Sequence, residues 1–277
     1  TRARVACLWT MRNSDMNRRK IWEVDIDIIG PISIADNISF KQVKGFDEDQ
    51  FYSNVVLQKE KYGVATTVTA YADNAEIART AAFVFLGRMV DILVFDNDIS
   101  LAIADPRSVA YIRSRSTTRR TLTTDEICTA FNVARQLEME QPILLRAIGW
   151  YSKGKISNNA LDAFLSYWNA IEIAASKYHT QTDRTKSGAI NKVYQSFFDY
   201  FGPEDQWEIP DGWINGMHEK RCCIAHGGEE TTAEAINEIS TLLPGISTIS
   251  RRFLKAILSK EYPDDIFQTA TWRRLFF

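Results

Sequence analysis

Alternating apolar and polar residues predict β-strands in the first hundred residues of the chain. From Trp22 to Ile28 every second residue is apolar and the residues between are acidic, which is typical of a strand with one face in solvent. The segment from Tyr62 to Tyr71 has the same period and is rich in β-branched residues, which favour strands. The spacing then becomes helical, and with Asp73 or Asn74 as N-cap a helix is predicted to about Leu93.

From Thr123 onward the pattern indicates helices and no strand. The strongest helix is predicted from Asn158 to Tyr178, where apolar residues share one broad stripe. The other predicted helices run from Thr124 as N-cap to Met139, Pro142 to Tyr151, Ser187 to Tyr200, Asp211 as N-cap to Gly227-Gly228, and Thr232 to Ser259 with a break at Pro244-Gly245. The predicted fold class is therefore an α+β N-terminal domain (1–105) followed by an all-α helical bundle (123–277).

The segment between these two parts, 106–122, is rich in arginine and is predicted to be a linker. Its arginines include Arg113, Arg115, Arg119 and Arg120, while the chain as a whole has 33 basic and 35 acidic residues and a formal net charge of -2. The positive charge is thus local. Two interpretations stay open: a solvated linker, or a surface that contacts RNA phosphates.

Composition narrows the class of protein. The 277 residues are 45% hydrophobic and 25% charged, which excludes a disordered or fibrous chain. The most apolar run, 81–95, is interrupted by charges and is too short to span a membrane.

The cysteines include an adjacent pair, Cys222 and Cys223, that is poorly placed for a mutual disulfide, so a reduced, cytoplasmic protein is expected. The sequence has no metal, phosphate-loop or dinucleotide motif, and no metal or cofactor is expected.

The segment with the most candidate chemistry is 219–228, which contains Arg221, Cys222 and His226. Cys222 and His226 are four residues apart, so a cysteine nucleophile with a histidine base is formally possible, but two cysteines packed inward on a helix are the better explanation. On an ideal helix Arg221 and His226 would point about 140° apart, roughly 7.5 Å along the axis. They could still converge if the helix ends at Gly227.

The motif Arg221-x4-His226 followed by glycine resembles the hallmark of the HEPN superfamily. Upstream, the aromatic-rich segment from Phe164 to Glu172 resembles the corresponding helix of Apea-like HEPN domains. A strand-rich part before such a bundle is similar to proteins of the methylamine-utilisation MauJ-like group. The resemblance covers about 123–260.

This resemblance implies a homodimer that forms through the bundle and brings two Arg/His pairs to one cleft. It also implies a metal-independent endoribonuclease with a setting in antiviral defence or stress response. Arg221 and His226 would be catalytic and Glu172 would support them, while Lys220 and the linker arginines would contact RNA. Cys222 departs from the family pattern, in which a polar residue often follows the arginine.

A non-catalytic function is the alternative. In that interpretation Arg221 and His226 cap carbonyls, Glu172 pairs with Arg221, and the protein binds RNA, a nucleotide or a protein partner, for example as a MauJ-like accessory protein. Geometry distinguishes the two: catalysis requires Arg221 and His226 to be accessible to solvent.

Overall fold

The structure is a computed structural model of the whole chain, and it describes residues 20–44, 51–60, 63–104, 119–228, 232–263 and 266–269. The predicted order of a strand-rich part followed by a helical part is confirmed. Two compact units divide the chain. The first contains residues up to Gly87 and those of 103–121, and the second contains 88–102 and 122–275.

A five-stranded sheet with the strand order β3-β4-β5-β1-β6 forms the centre of the first unit. The strands are β1 (Lys20–Ile29), β3 (Ile38–Lys44), β4 (Phe51–Glu60), β5 (Gly63–Ala72) and β6 (Ala102–Ala104). The two strands predicted from the alternation, β1 and β5, are confirmed and pair in antiparallel fashion, with Val24 opposite Val68. Ile26 and Ile28 are buried, whereas Asp25 and Asp27 on the opposite face are at least partly exposed.

A separate two-stranded sheet joins β2 (Ile32–Ile34) to β7 (Arg120–Leu122). The backbone N–H of Arg120 donates to the carbonyl of Pro31 at 2.9 Å. The final residues of the predicted linker are therefore a strand. Most of that segment, 106–118, lies outside the described residues.

The helices follow the predicted order, with α1 at Ala75–Asn97 and Asn74 accepting a hydrogen bond from the N–H of Ile77 at 2.9 Å. The others are α2 (Thr124–Glu140), α3 (Pro142–Ile156), α4 (Ala160–Tyr178), α5 (Ala189–Phe201), α6 (Trp213–Ala225), α7 (Ala233–Glu261) and α8 (Ile266–Thr269). Short 3-10 turns at Arg184–Lys186 and Glu204–Gln206 flank α5.

Several predicted helix boundaries are wrong: α1 and α3 extend to Asn97 and Ile156, beyond the ends predicted near Leu93 and Tyr151. Thr123, not Thr124, is the N-cap of α2, and Gly212 with φ 71° precedes α6 in place of Asp211. Pro244 lies inside α7 and does not break it. A proline there removes one backbone hydrogen bond, that to the carbonyl of Ser240, and because Ser240 is exposed, water can replace the lost donor.

Helix α4 is the centre of the second unit and packs against α3, α5, α6 and α7. Its Phe164 and Trp168 are fully buried. Phe197 of α5 stacks on Phe253 of α7 with ring centroids 5.0 Å apart, and it also contacts the rings of Phe201, Trp207 and Trp213. Aromatic burial of this extent holds the helices in one arrangement.

The capping box at the start of α2 gives a stability prediction. Thr123 Oγ1 accepts from the N–H of Glu126 at 3.2 Å, and the Glu126 carboxylate accepts from the N–H of Thr123 at 2.8 Å. We expect Thr123→Ala to lower the free energy of unfolding by about 1 kcal/mol, because the N–H of Glu126 loses the Oγ1 acceptor that caps the helix. Thr124→Ala, at the exposed next position, is the matched control and should change it by less than about 0.5 kcal/mol. Urea unfolding measures both, and equal losses would contradict the assignment of the cap.

A carboxyl group of α1, that of Asp91, lies among residues of α3. A Cβ atom added at Gly149 would be 3.1 Å from Asp91 Oδ2, so no larger residue fits there without displacement. Burial raises the pKa of Asp91 from 3.8 to about 6, while a hydrogen bond with buried Ser152 acts in the opposite direction. The folded protein therefore holds this proton at a pH at which the unfolded chain has released it.

This carboxyl makes stability depend on pH. As pH rises from about 4 to about 6, the unfolded chain loses the proton before the folded chain does, so the free energy of unfolding falls, by at most about 3 kcal/mol. We expect Asp91→Asn to remove this loss, so that the variant gains stability relative to the wild type between pH 4 and pH 7.5. Urea unfolding at both pH values measures the difference, with Asp205→Asn at an exposed position as control. Parallel profiles for Asp91→Asn and wild type would overturn the prediction.

Candidate functional site

The candidate site lies at the carboxyl end of α6. His226 is the C-cap residue, and the N–H of Gly227 donates to the carbonyl of Ile224 at 3.3 Å, while that of Gly228 donates to Cys223 at 2.8 Å. Gly227 has a φ of 72°, a left-handed conformation that glycine adopts without strain. This pair of hydrogen bonds is a Schellman motif. It places His226 where the helix stops, as the Gly227-Gly228 signal predicts.

The structure brings Arg221 and Glu172 together. Arg221 Nη2 lies 3.4 Å from Glu172 Oε2, so a carboxylate of α4 pairs with a guanidinium of α6. The two side chains are 27% and 21% exposed, so solvent still reaches both. The pair holds the guanidinium in place and leaves part of its surface open to a ligand.

His226 is exposed, and its imidazole makes no hydrogen bond with another described residue. Its backbone N–H donates to the carbonyl of Cys222 at 3.0 Å, which fixes the backbone but not the ring. The imidazole of His226 and part of the Arg221 guanidinium are accessible to solvent, as catalysis requires. The side chains can exchange protons and stabilise negative charge on a ligand.

The predicted RNA-contacting residues fall in different places. Lys220 Nζ forms an ion pair with Glu238 of α7 at 2.9 Å, and its side chain is 22% exposed. Arg119 is partly exposed and Arg120 is exposed, both in the first unit. The remaining two predicted residues, Arg113 and Arg115, lie outside the described residues.

Sequence analysis missed a cluster of polar atoms beside Arg221. His218 packs on Trp168 with ring centroids 6.0 Å apart, and its Nε2 lies 3.7 Å from Cys222 Sγ. Cys222 thus contacts His218, whereas the sequence suggested His226 as its neighbour. Three buried nitrogens, Trp168 Nε1, His218 Nδ1 and Arg221 Nε, have no hydrogen-bond partner among the described residues. A buried polar nitrogen without a hydrogen-bond partner costs free energy. Three such nitrogens close together indicate a place where a ligand could supply the missing hydrogen bonds.

Spacing alone could have indicated His218. It precedes Arg221 by three residues and Cys222 by four, so the three side chains share one face of α6. The contact of His218 with Trp168 depends on how α4 and α6 pack, and no pattern in the sequence near either residue predicts it.

In the part of the chain that the structure describes, no group of three or more histidine, cysteine, aspartate or glutamate side chains is arranged to hold a metal ion. Cys128, Cys222 and Cys223 are free thiols. Burial raises the pKa of the Cys128 thiol to about 11, which makes it a poor nucleophile at neutral pH. None of the described helices has the length and apolar character needed to cross a membrane.

Comparison with known proteins gives no assignment. No protein-family model matches the chain, no curated protein matches it, and no solved structure matches it. The function must therefore be inferred from the residues and geometry of the site itself.

Proposed function

We propose that the helical unit is a HEPN-type, metal-independent endoribonuclease in which Arg221 and His226 are catalytic and Glu172 is a positioning residue. One observation carries the proposal: an exposed imidazole at the end of α6 follows a guanidinium that a carboxylate of α4 holds in a partly open position. Arginine is suited to phosphate and histidine to proton transfer near neutral pH.

The chemistry that these groups support is transesterification of RNA. The 2′-oxygen attacks the adjacent phosphorus, the bond from phosphorus to the 5′-oxygen breaks, and the 2′-hydroxyl proton is removed as the 5′-oxygen gains one. The His226 imidazole removes or delivers a proton, and Arg221 stabilises the charge of the phosphorane. The products are a 2′,3′-cyclic phosphate and a 5′-hydroxyl. No metal takes part.

The proposal includes a homodimer formed through the bundle. Only Ile214 of the thirteen residues of α6 is buried, so most of the surface of this helix is at least partly open to solvent. A helix with so little of its surface covered can pack against a second copy, and a two-fold axis near its end would bring two Arg221/His226 pairs into one cleft. The proposed setting is cytoplasmic, in antiviral defence or stress response.

Backbone contacts to the RNA are proposed for Lys220 and for the arginines of the linker region, Arg113, Arg115, Arg119 and Arg120. Lys220 lies next to Arg221 in the chain, and its ion pair with Glu238 is partly exposed, so a phosphate can compete with the glutamate for the ammonium group. Contacts of this kind contribute affinity that falls with salt.

Incubating the purified full-length protein with mixed single-stranded RNAs in EDTA tests the proposal. We expect cleavage that leaves 2′,3′-cyclic phosphate ends, detected by resistance of the 3′ ends to a phosphatase that removes only monoesters. The same products should be absent with His226→Ala and with Arg221→Ala. Cleavage that depends on a divalent cation, or that is equal in all three proteins, would contradict the assignment.

One observation favours a non-catalytic function. Arg221 and Lys220 are both already paired with carboxylates, Glu172 and Glu238, as expected of residues that hold helices together. In this case the protein binds RNA, a nucleotide or a protein partner as a scaffold or a MauJ-like accessory protein. Absence of cleavage by a folded, dimeric wild type would support this second function.

A further inference from the structure

A cavity of about 590 Å³ lies between α5 and the start of α6, on the second unit. This volume is in the range of sites for small molecules. Its lining includes one stripe of α5, with Asn191, Tyr194, Gln195 and Phe198 at helical spacing. Arg184, Glu204, Trp207 and Asn215 complete its walls together with Ile190.

The cavity offers aromatic surface to a planar ligand. Phe198 is 55% exposed, an unusual position for a phenylalanine in a helix whose neighbour Phe197 is fully buried. Tyr194 is partly exposed and contacts the ring of Trp207 at 5.9 Å, so its orientation is fixed. Rings of this kind, placed at the edge of a cavity, are platforms on which nucleic-acid bases stack.

The polar groups of the cavity include several acceptors. The amide nitrogen of Asn191 donates to the carbonyl of Ser187 at 2.5 Å, and that of Gln195 donates to Asp199 at 2.9 Å. The amide oxygens of both residues can accept from a ligand, and the Glu204 carboxylate adds two more acceptor oxygens. N–H donors on a ligand would therefore find acceptors in this cavity.

One cation is present beside these acceptors. Arg184 is exposed, and both it and Glu204 act on Tyr194: burial raises the pKa of Tyr194, Glu204 raises it further, and Arg184 lowers it. The acidic and basic groups thus border the same ring. This arrangement suits a ligand with N–H donors on one side and a phosphate on the other.

Guanine fits this set of groups best among the bases. Its Watson–Crick edge presents two adjacent donors, N1–H and the N2 amino group, which match the two oxygens of a carboxylate, whereas uracil offers one donor on this edge. Its purine ring gives more stacking surface than a pyrimidine.

The lining of the cavity reaches the helix of the candidate site at Asn215. Asn215, near the start of α6, and His226, its C-cap, are eleven residues apart, about 16 Å along the axis. A few nucleotides of single-stranded RNA span such a distance.

We propose that this cavity binds an unpaired guanine of the RNA that is cleaved at Arg221 and His226, and so sets the sequence preference of cleavage. The guanine stacks on Phe198 and Tyr194, Glu204 accepts from its Watson–Crick edge, and Arg184 contacts a phosphate. The role in cleavage rests on the proposed ribonuclease function, but binding of the base does not.

Calorimetric titration of the full-length protein with the four nucleoside 5′-monophosphates tests the cavity. We expect GMP to bind most tightly, Phe198→Ala to weaken it about tenfold or more through loss of stacking, and Glu204→Gln to reduce the preference for GMP over AMP by about tenfold. Met139→Ala is the matched control, because Met139 is an apolar side chain of similar exposure, 54%, on α2. Equal affinity for all four nucleotides, or GMP binding that is unchanged in Phe198→Ala, would overturn the proposal.

A second set of titrations, on His226→Ala, uses short single-stranded RNAs with and without one guanine. A preference for the guanine-containing strand that Phe198→Ala removes supports binding of an RNA base, whereas GMP binding without such a preference overturns it in favour of a free-nucleotide site. Guanine-selective RNA binding by a wild type that cleaves no RNA would support the cavity and refute the ribonuclease function. Cleavage with no base preference, unchanged in Phe198→Ala, would refute only the cavity.

Discussion

Replacing His226 with alanine is expected to lower the rate of RNA cleavage by roughly 10²- to 10⁴-fold, the usual contribution of a positioned acid or base. Under the proposed mechanism Arg221→Ala should cost a similar factor, about 10²- to 10³-fold, because it removes the cation proposed to stabilise the phosphorane. The measurement is the single-turnover rate of cleavage of an end-labelled RNA in EDTA. Single-turnover conditions isolate the chemical step from product release.

The control for His226 is His179→Ala. Both histidines are C-cap residues, of α6 and α4, but His179 is bound through Nδ1 to the carbonyl of Ala175 at 2.8 Å and belongs to neither proposed site. The rate of His179→Ala should equal that of the wild type. A loss of the same size in both variants would show that the effect is structural and would contradict a catalytic His226.

Glu172 requires a separate readout, because it acts through Arg221. Glu172→Gln keeps the shape of the side chain but removes the charge that pairs with the guanidinium. We expect a smaller loss than in Arg221→Ala, and little further loss when Glu172→Gln is added to Arg221→Ala, since the two residues act as one unit. Fully additive losses would remove Glu172 from the positioning role.

Phe197→Ala is expected to lower the free energy of unfolding by about 3–5 kcal/mol, the usual cost of removing a buried aromatic ring. Phe197 is fully buried and contacts four aromatic rings, of Phe201, Trp207, Trp213 and Phe253. The cavity left by alanine cannot be filled easily, because those rings are held by four different segments. Urea unfolding followed by circular dichroism measures the loss.

Phe198→Ala is the matched control, since the same substitution falls on the next residue of the same helix. Phe198 is 55% exposed, so its free energy of unfolding should change by less than about 0.5 kcal/mol. A loss below about 1 kcal/mol for Phe197→Ala would mean that α5 does not pack on α7 as described. The result also shows whether Phe198→Ala leaves the fold intact for the binding experiments.

Local periodicity was sufficient to predict the elements that bury one face. The alternation in β1 and the wide apolar stripe of α4 each indicated which residues enter a core, and Ile26, Ile28, Phe164 and Trp168 are indeed buried. The end of α6 was also predictable, because Gly227 adopts a backbone conformation that most residues avoid. Signals of this kind lie within a few residues of the structure that they determine.

Short strands were less predictable from the sequence than the cap of α2. The strands β2 and β7 have three residues each, too few for any period, and they exist because each provides the other's hydrogen bonds. The sequence favours Thr123 over Thr124 as the cap of α2, because Glu126 follows Thr123 at the spacing of a capping box whereas Ile127 follows Thr124 at that spacing.

The sequence by itself determined that Arg221 and His226 stand near the end of a helix. Only the tertiary structure decided what surrounds them, because Glu172, Trp168 and His218 meet through the packing of α4 on α6. Packing likewise brings Cys222 against His218. It also forms the cavity beside Phe198 from residues of α5 and of the segments before and after it in the chain. The physical reason is that local patterns encode the face that a helix buries, whereas the partner of each side chain on that face is set by the volumes and charges of segments far away in the chain.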